Sequence, residues 1–489
     1  MLRLLFPTLL MIALPLTVLA QARPEFPDSP HRAHQPPLGP PAKLQLPPVE
    51  RFALPNGLEV LLVTRTTLPT VQIALDFPGG SQLDLPGQEG VTSLCTALAG
   101  ESTRKLERLA FREALADLAA NVATWASRDA MGVSLTVLKR NLAPALELWT
   151  DVVRNPGMRE IDLAQLLAQR KAAIVQSKGS VGGVASRLQP VVAWGLTHPY
   201  GRPTTEKSLE ATTVPLCQAL WSQRIAPKGA RLFVVGDVTR QELTASLTPL
   251  LGDWKGQTPT PNPIAPSLFH PHDLVIFDVP GSAQSAVQVM HPGPKRQDPE
   301  YPAISLMAAI LGGGFASHIN MNLREVHGWA YGARGGFDYQ PHQSSWIAAA
   351  SVRTDATGSA LAEMLKEMML MRDVSPTTAE LERERDGKIA ALPAKWATSD
   401  AILSSLRELE YYHLPLDDDA RLPKKWRATQ GKQVQSMAKK LLMPENSAVL
   451  VVGDLAKVLP QLQPLLNPGG ILAGWKLVHV DADGHAVAQ

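Results

Sequence analysis

The stretch Arg231-Leu-Phe-Val-Val-Gly-Asp237 returns, little changed, as Ala448-Val-Leu-Val-Val-Gly-Asp454. Each copy is a short apolar run stopped by a Gly-Asp pair, the pattern of a buried strand that ends in a turn. A repeat at such long spacing constrains the chain more than any other feature, because both copies must complete the same kind of unit. The copies close two segments of near-equal length, about 50–256 and 273–480. A proline-rich run, Gly256-Gln-Thr-Pro-Thr-Pro-Asn-Pro-Ile-Ala-Pro266, falls between them.

Each half also opens alike. Leu58-Glu-Val-Leu-Leu-Val63 and Val71-Gln-Ile-Ala-Leu-Asp-Phe77 read as strands in the first, Asp273-Leu-Val-Ile-Phe-Asp278 and Ser285-Ala-Val-Gln-Val-Met290 in the second. Apolar residues then recur at three and four over 103–121, 142–153 and 161–177, and again over 357–371 and 377–392, which predicts helices. Strands, then helices, then a closing strand describe an α+β unit present twice. The expectation is two tandem homologous α/β-sandwich-like domains, 50–256 and 273–480, joined by a linker over 257–272. Paired units of this kind enclose a cleft, which points to binding or catalysis.

The ends and the composition bound the function. Met1 to Ala22 has a charged start, an apolar run from Leu4 to Leu19 and a small-x-small end at Ala20-Gln-Ala22, the pattern of a secretory leader. Pro7 and Pro15 interrupt the run, and it is shorter than the ~20 residues that span a bilayer. No later stretch reads as a membrane span, so the mature chain is expected to be exported, to the periplasm if the host is Gram-negative. Residues 23–49 read as a proline-rich extended tether and 481–489 as a tail. With 47 basic against 45 acidic residues, nothing in the bulk charge supports nucleic-acid binding. Two cysteines, Cys95 and Cys217, exclude a multi-cysteine metal site. An exported chain permits them to pair, but their spacing carries no motif, and two unpaired buried thiols is the reading favoured here.

Several pieces, in order, resemble the pitrilysin/insulinase-type zinc peptidases. They are Asn56-Gly-Leu-Glu-Val60, Pro78-Gly-Gly-Ser-Gln-Leu-Asp84, the helix opened by Gly90, and His198-Pro-Tyr-Gly-Arg-Pro203. Leu311-Gly-Gly-Gly-Phe-Ala-Ser317 leading into Asn322-Leu-Arg-Glu-Val-His-Gly-Trp-Ala-Tyr331 is the strongest. The chain most resembles the two-domain branch that includes mitochondrial processing peptidase and bacterial periplasmic homologues. That resemblance implies a two-domain chain forming half of a clamshell.

In the family, the helix after Gly90 carries His-x-x-Glu-His, whose histidines share one helical face and bind zinc while the glutamate serves as base. Here Ser93 and Ala97 fall where the histidines belong and Thr96 where the glutamate belongs. The third ligand, a glutamate on a later helix, aligns best with Gln176, within a residue or two. Alanine cannot bind a metal, and hydroxyls are poor zinc ligands, so the resemblance implies no metal and no catalytic residue in this chain alone. No His-x-x-x-His pair with a nearby acid replaces the lost motif.

The second half retains more. Arg324 and Tyr331 match an arginine and a tyrosine that, in the family, face the zinc helix and position peptide. Residue type alone favours a helix-capping arginine and a strand-packed tyrosine; the intact surrounding motif favours the peptide-positioning reading. Gly312, Gly313 and Gly314 lack the Gly-Lys-Ser/Thr ending of a phosphate loop; a peptide contact and a tight turn both fit them. The resemblance thus implies a zinc-free subunit of a heterodimer, with zinc in a His-x-x-Glu-His partner and unfolded peptides as substrates. The alternative is a noncatalytic peptide-binding or structural core protein with no peptidase role.

Overall fold

Continuous apolar runs mark strands covered on both faces. Val60, Leu61, Leu62 and Val63 are all buried, as are Leu232 to Val235 and Val449 to Val452. The structure, a computed structural model, describes residues 42–261, 264–341 and 343–487. The leader expected over 1–22, and the tether as far as residue 41, lie outside the described residues.

The first sheet contains β1 (Glu50–Ala53), β2 (Glu59–Thr64), β3 (Thr70–Pro78), β4 (Asn121–Ala126), β5 (Ala130–Leu138) and β6 (Arg231–Gly236). The second contains β7 (Asp273–Asp278), β8 (Gln284–Gly293), β9 (Ala330–Tyr339), β10 (Ser344–Arg353), β11 (Ala448–Gly453) and β12 (Lys476–His479). Their orders are β1-β2-β6-β3-β5-β4 and β12-β7-β11-β8-β10-β9. Five positions correspond, and the repeated Val-Val-Gly strand is central in both. In each sheet that strand runs parallel to the opening strand and antiparallel to the next. Only the added edge differs: β1 lies antiparallel to β2, whereas β12 lies parallel to β7. The fold is α+β, with two six-stranded sheets and many helices.

The halves are not independent layers. The helix Val181–Trp194 of the first half packs Val184, Ala185 and Leu188 against Ala286, Met290 and Leu450 of the second sheet. Reciprocally, the helix Ser399–Tyr411 of the second half packs Ile402, Leu406 and Leu409 against Leu61, Phe233 and Val235 of the first. Each sheet therefore has one face covered by the other half. Polar contacts fix the exchange. Arg407 Nε lies 2.7 Å from Asp76 Oδ2, and Arg51 Nη1 lies 3.0 Å from Glu410 Oε1. Tyr411 donates to Asp129 Oδ2 at 2.6 Å, while Tyr200 of the first half donates to the other oxygen of the same carboxylate. The tail contributes too, since Asp483 pairs with Lys178 and Arg187.

Three expectations are corrected. Cys95 and Cys217 form a disulfide, with Cα atoms 4.9 Å apart and both residues fully buried. A separation of 122 residues hides the pairing, which arises because the helices Val91–Ala99 and Val214–Arg224 pack side by side. The helix expected over 103–121 is only Arg108–Asp117, because Thr103 bridges to Pro156 and Asn121 already opens an edge strand. Finally, the helical run Tyr301–Val326 is long and apolar enough to cross a bilayer, with mean hydropathy 1.4. Of its most apolar window 61% is buried, and Ile304, Ile310, Ile319 and Leu323 fill the second core.

Candidate functional site

The Pro78-Gly-Gly-Ser-Gln-Leu-Asp84 run positions the helix that would carry zinc ligands. A Cβ on Gly80 would lie 2.4 Å from the Ser127 carbonyl oxygen, so only glycine fits this turn at φ 47°. Asp84 then accepts from the backbone N–H groups of Gly90 (3.0 Å) and Thr92 (3.1 Å), and from the Thr92 hydroxyl. These contacts satisfy donors at the start of Val91–Ala99 that the helix cannot satisfy itself. Burial pushes the Asp84 carboxyl up, while its hydrogen bonds with Thr92 and Gly90 and the charge of Arg224 pull it down.

On that helix Ser93 faces a cleft of about 210 Å³, shared with Arg170, Ala173, Ile174, Ser177 and Thr204. Thr96 is turned inward: it is 1% exposed, and its hydroxyl donates to the Thr92 carbonyl at 2.7 Å. Ala97 is half-buried against the first core. Gln176 is exposed and does not line the cleft; the face of Glu160–Lys178 that does so carries Arg170, Ala173, Ile174 and Ser177. Zinc prefers thiolate, imidazole and carboxylate donors. The cleft instead offers hydroxyls, alkyl groups and a guanidinium that repels a cation, so its residues do not fit zinc. Among the described residues no group of three or more His, Cys, Asp or Glu side chains is placed to hold a metal ion.

In the second half Arg324 and Tyr331 come together. Gly312 ends up against β9, where a Cβ would lie 2.3 Å from the Gly335 nitrogen, so this glycine is required by packing. Gly313 and Gly314 are exposed, and the space around Gly314 is open. The helical turn Met321–Val326 carries Arg324, and Gly328 at φ 62° reverses the chain into β9, which starts beside Tyr331. The Arg324 guanidinium carbon lies 5.1 Å from the Tyr331 ring centroid, and Nε lies 3.1 Å from Glu325 Oε1. Tyr331 is 88% exposed. A tyrosine packed in a strand would be covered, and this one is not.

A second ring completes the arrangement. Phe315, 60% exposed, lies on Arg324 with 4.8 Å from guanidinium carbon to ring centroid. Sequence reasoning missed it, although its place directly after three glycines was a signal, since such a run lets a following side chain stand clear of the fold. The set offers a fixed cation edge and a free phenol, both hydrogen-bond donors suited to a peptide carbonyl or carboxylate.

His198-Pro-Tyr-Gly has a structural role instead. The His198 ring stacks on Trp194 at 5.3 Å, accepts from the Tyr200 N–H at 3.1 Å and meets the Ala265 carbonyl at 3.0 Å. It thereby holds the first half's helix against the linker.

Comparisons with known proteins bear on both regions. A family model described as Insulinase (Peptidase family M16) matches residues 59–182, and one described as Peptidase M16 inactive domain matches residues 218–388. The chain is 26% identical, over 384 residues, to a probable mitochondrial-processing peptidase subunit alpha-1 of Arabidopsis thaliana, covering 75% of this chain and 71% of that protein. It is 25% identical over 287 residues to the mitochondrial-processing peptidase subunit alpha of Solanum tuberosum, covering 56% of this chain and 53% of that one. Among solved structures, a peptidase M16 inactive domain from Pseudomonas fluorescens matches with TM-score 0.76 at 24% identity, covering 83% of this chain and 98% of that one. A chain of Complex III2 from Candida albicans matches with TM-score 0.68 at 16% identity, covering 84% and 97%.

Proposed function

The chain belongs to the insulinase peptidase family, and from that premise we propose that it is an exported, zinc-free subunit of a heterodimeric peptidase. It helps bind unfolded peptides and presents Arg324 and Tyr331 to the metal site of a His-x-x-Glu-His partner. The observation that carries this reading is the contrast between the two halves. The helix that would hold zinc has Ser93, Thr96 and Ala97, with Thr96 turned into the core. The arginine and tyrosine are adjacent, the arginine half-buried and the tyrosine open to solvent. Peptide positioning without hydrolysis is the chemistry left to such a chain.

The curated relatives are named as alpha subunits of a processing peptidase, which supports a noncatalytic role beside a homologous partner. Export is supported by the buried Cys95–Cys217 disulfide, since such bonds persist mainly in oxidising compartments. The second reading, a structural core protein, is favoured only by the shared fold with a Complex III2 chain.

The test is affinity capture of the tagged mature chain from its host's exported fraction. A co-purifying His-x-x-Glu-His homologue with chelator-sensitive hydrolysis of casein is the expected result. Recovery of the chain alone, zinc-free and inert, contradicts the subunit reading and leaves the structural one.

A further inference from the structure

We propose that Phe315 and Asn320 are positioning residues that hold Arg324 edge-on to a peptide, an inference that rests on the peptide-positioning reading above. Two rings lie against the guanidinium, Phe315 at 4.8 Å and Tyr331 at 5.1 Å from its carbon. Stacking on an aromatic face fixes the plane of a guanidinium and leaves its N–H edge as the only outlet for hydrogen bonds. Nε lies 3.1 Å from Glu325 Oε1, and among the described residues no Arg324 nitrogen donates a hydrogen bond within the chain. The guanidinium is about a third exposed, so its Nη donors are left for an acceptor from outside the chain. The acceptor they suit is a planar oxygen group, a peptide carbonyl or a carboxylate.

Phe315 would be a poor clamp on a loose loop, and this loop is tied at each carbonyl. The Gly314 carbonyl accepts from the Ser317 hydroxyl at 2.6 Å, and the Ala316 carbonyl from Arg383 Nη2 at 3.3 Å. Between them, the Phe315 carbonyl accepts from Asn320 Nδ2 at 2.6 Å. Asn320 is 4% exposed, and its Oδ1 accepts from the Ala333 N–H of β9 at 3.0 Å. One buried amide thus joins the loop that carries Phe315 to the strand that carries Tyr331. The spacing of the two rings about Arg324 is set through that side chain. The preorganised donor edge costs little ordering when peptide binds.

The experiment assays the captured complex, rebuilt with variants of this chain, on fluorescein-labelled casein. Phe315→Ala lowers kcat/KM about 3–5-fold, mainly through KM, as loss of one solvent-exposed cation–π face implies. Phe315→Tyr stays within about twofold of wild type because it restores the ring, and Phe315→Leu, equally apolar but without a π face, behaves like alanine. Asn320→Asp, which sets an oxygen against the Phe315 carbonyl, reproduces the alanine phenotype. Phe315→Ala combined with Arg324→Ala is no worse than Arg324→Ala alone, since the ring acts through the arginine. Melting temperatures of the Phe315 variants match wild type, because the side chain is mostly exposed. Full activity in Phe315→Ala together with loss in Arg324→Ala overturns the clamp and leaves the proposed function intact. Full activity in Arg324→Ala refutes the proposed function itself.

Discussion

Removing the disulfide tests both the packing of the zinc-less helix and the coupling of the two halves. Cys95 and Cys217 close a loop of 122 residues, and both sulfurs sit in the first core. Chain entropy for a loop of that length gives about 5 kcal/mol of stabilisation, by constraining the unfolded chain. How far this moves the melting temperature depends on what unfolds together. The compact unit runs from Lys43 to Gln489, 447 residues, and each sheet is covered in part by a helix of the other half. If all of it melts at once, an unfolding entropy of about 2.1 cal/mol/K per residue turns 5 kcal/mol into a shift of about 5 °C. If the first half melts alone, the same free energy acts on about half the entropy and the shift is about 10 °C, with a second transition left in place. The exchange of helices predicts the first case. Scanning calorimetry of the wild type and of the Cys95→Ala/Cys217→Ala double variant decides it. A single transition lowered by about 5 °C fits the account. An unchanged melting temperature refutes the disulfide reasoning, and two separated transitions refute the coupling of the halves.

Other outcomes follow from single sites. His291 is buried, and burial pushes its imidazole down to about 4, partly offset by its bond to the Pro292 carbonyl. A group held neutral in the fold but charged when unfolded contributes stability that is complete above about pH 6.5 and is lost as pH falls toward 4. Wild type should lose about 3 kcal/mol more than His291→Gln over that window in urea titrations, and equal slopes would discount the buried imidazole. Gly312→Ala forces a Cβ into the Gly335 backbone and should cost about 2 kcal/mol or more, whereas Gly314→Ala, with open space around it, should leave the urea midpoint within a few tenths of a molar. Tyr411→Phe removes the hydrogen bond donated to Asp129 at 2.6 Å; a loss of about 1–2 kcal/mol is expected, and no loss would mean that this carboxylate does not tie the halves.

The repeat carried most of the fold. The two Val-Val-Gly-Asp strands are central in their sheets because a strand covered on both faces must be apolar throughout, and that pattern is local. Helices at 142–153, 357–371 and 377–392 were legible for the same reason, and the structure sets them at Leu142–Arg154, Thr357–Asp373 and Thr378–Ala391. What local pattern could not show is which half a helix serves. Val181–Trp194 and Ser399–Tyr411 are amphipathic in the ordinary way, and nothing in their periodicity names a partner sheet. The disulfide was hidden likewise, because its cysteines meet only after the helices pack. At the site, residue identity was enough to read Ser93, Thr96 and Ala97 as unfit for zinc. The orientation of Thr96 into the core, the exposure of Gln176 and the ring of Phe315 on Arg324 needed coordinates.

The central claim is that this chain contributes its arginine and tyrosine to chemistry performed on another chain's zinc. The most direct measurement is hydrolysis by the captured complex carrying Arg324→Ala or Tyr331→Phe, with zinc content determined on the same samples. The account predicts that Arg324→Ala lowers kcat/KM by about 10²-fold or more, as loss of a preorganised donor does, with the zinc content unchanged. Wild-type activity in both variants, with zinc present, would contradict it.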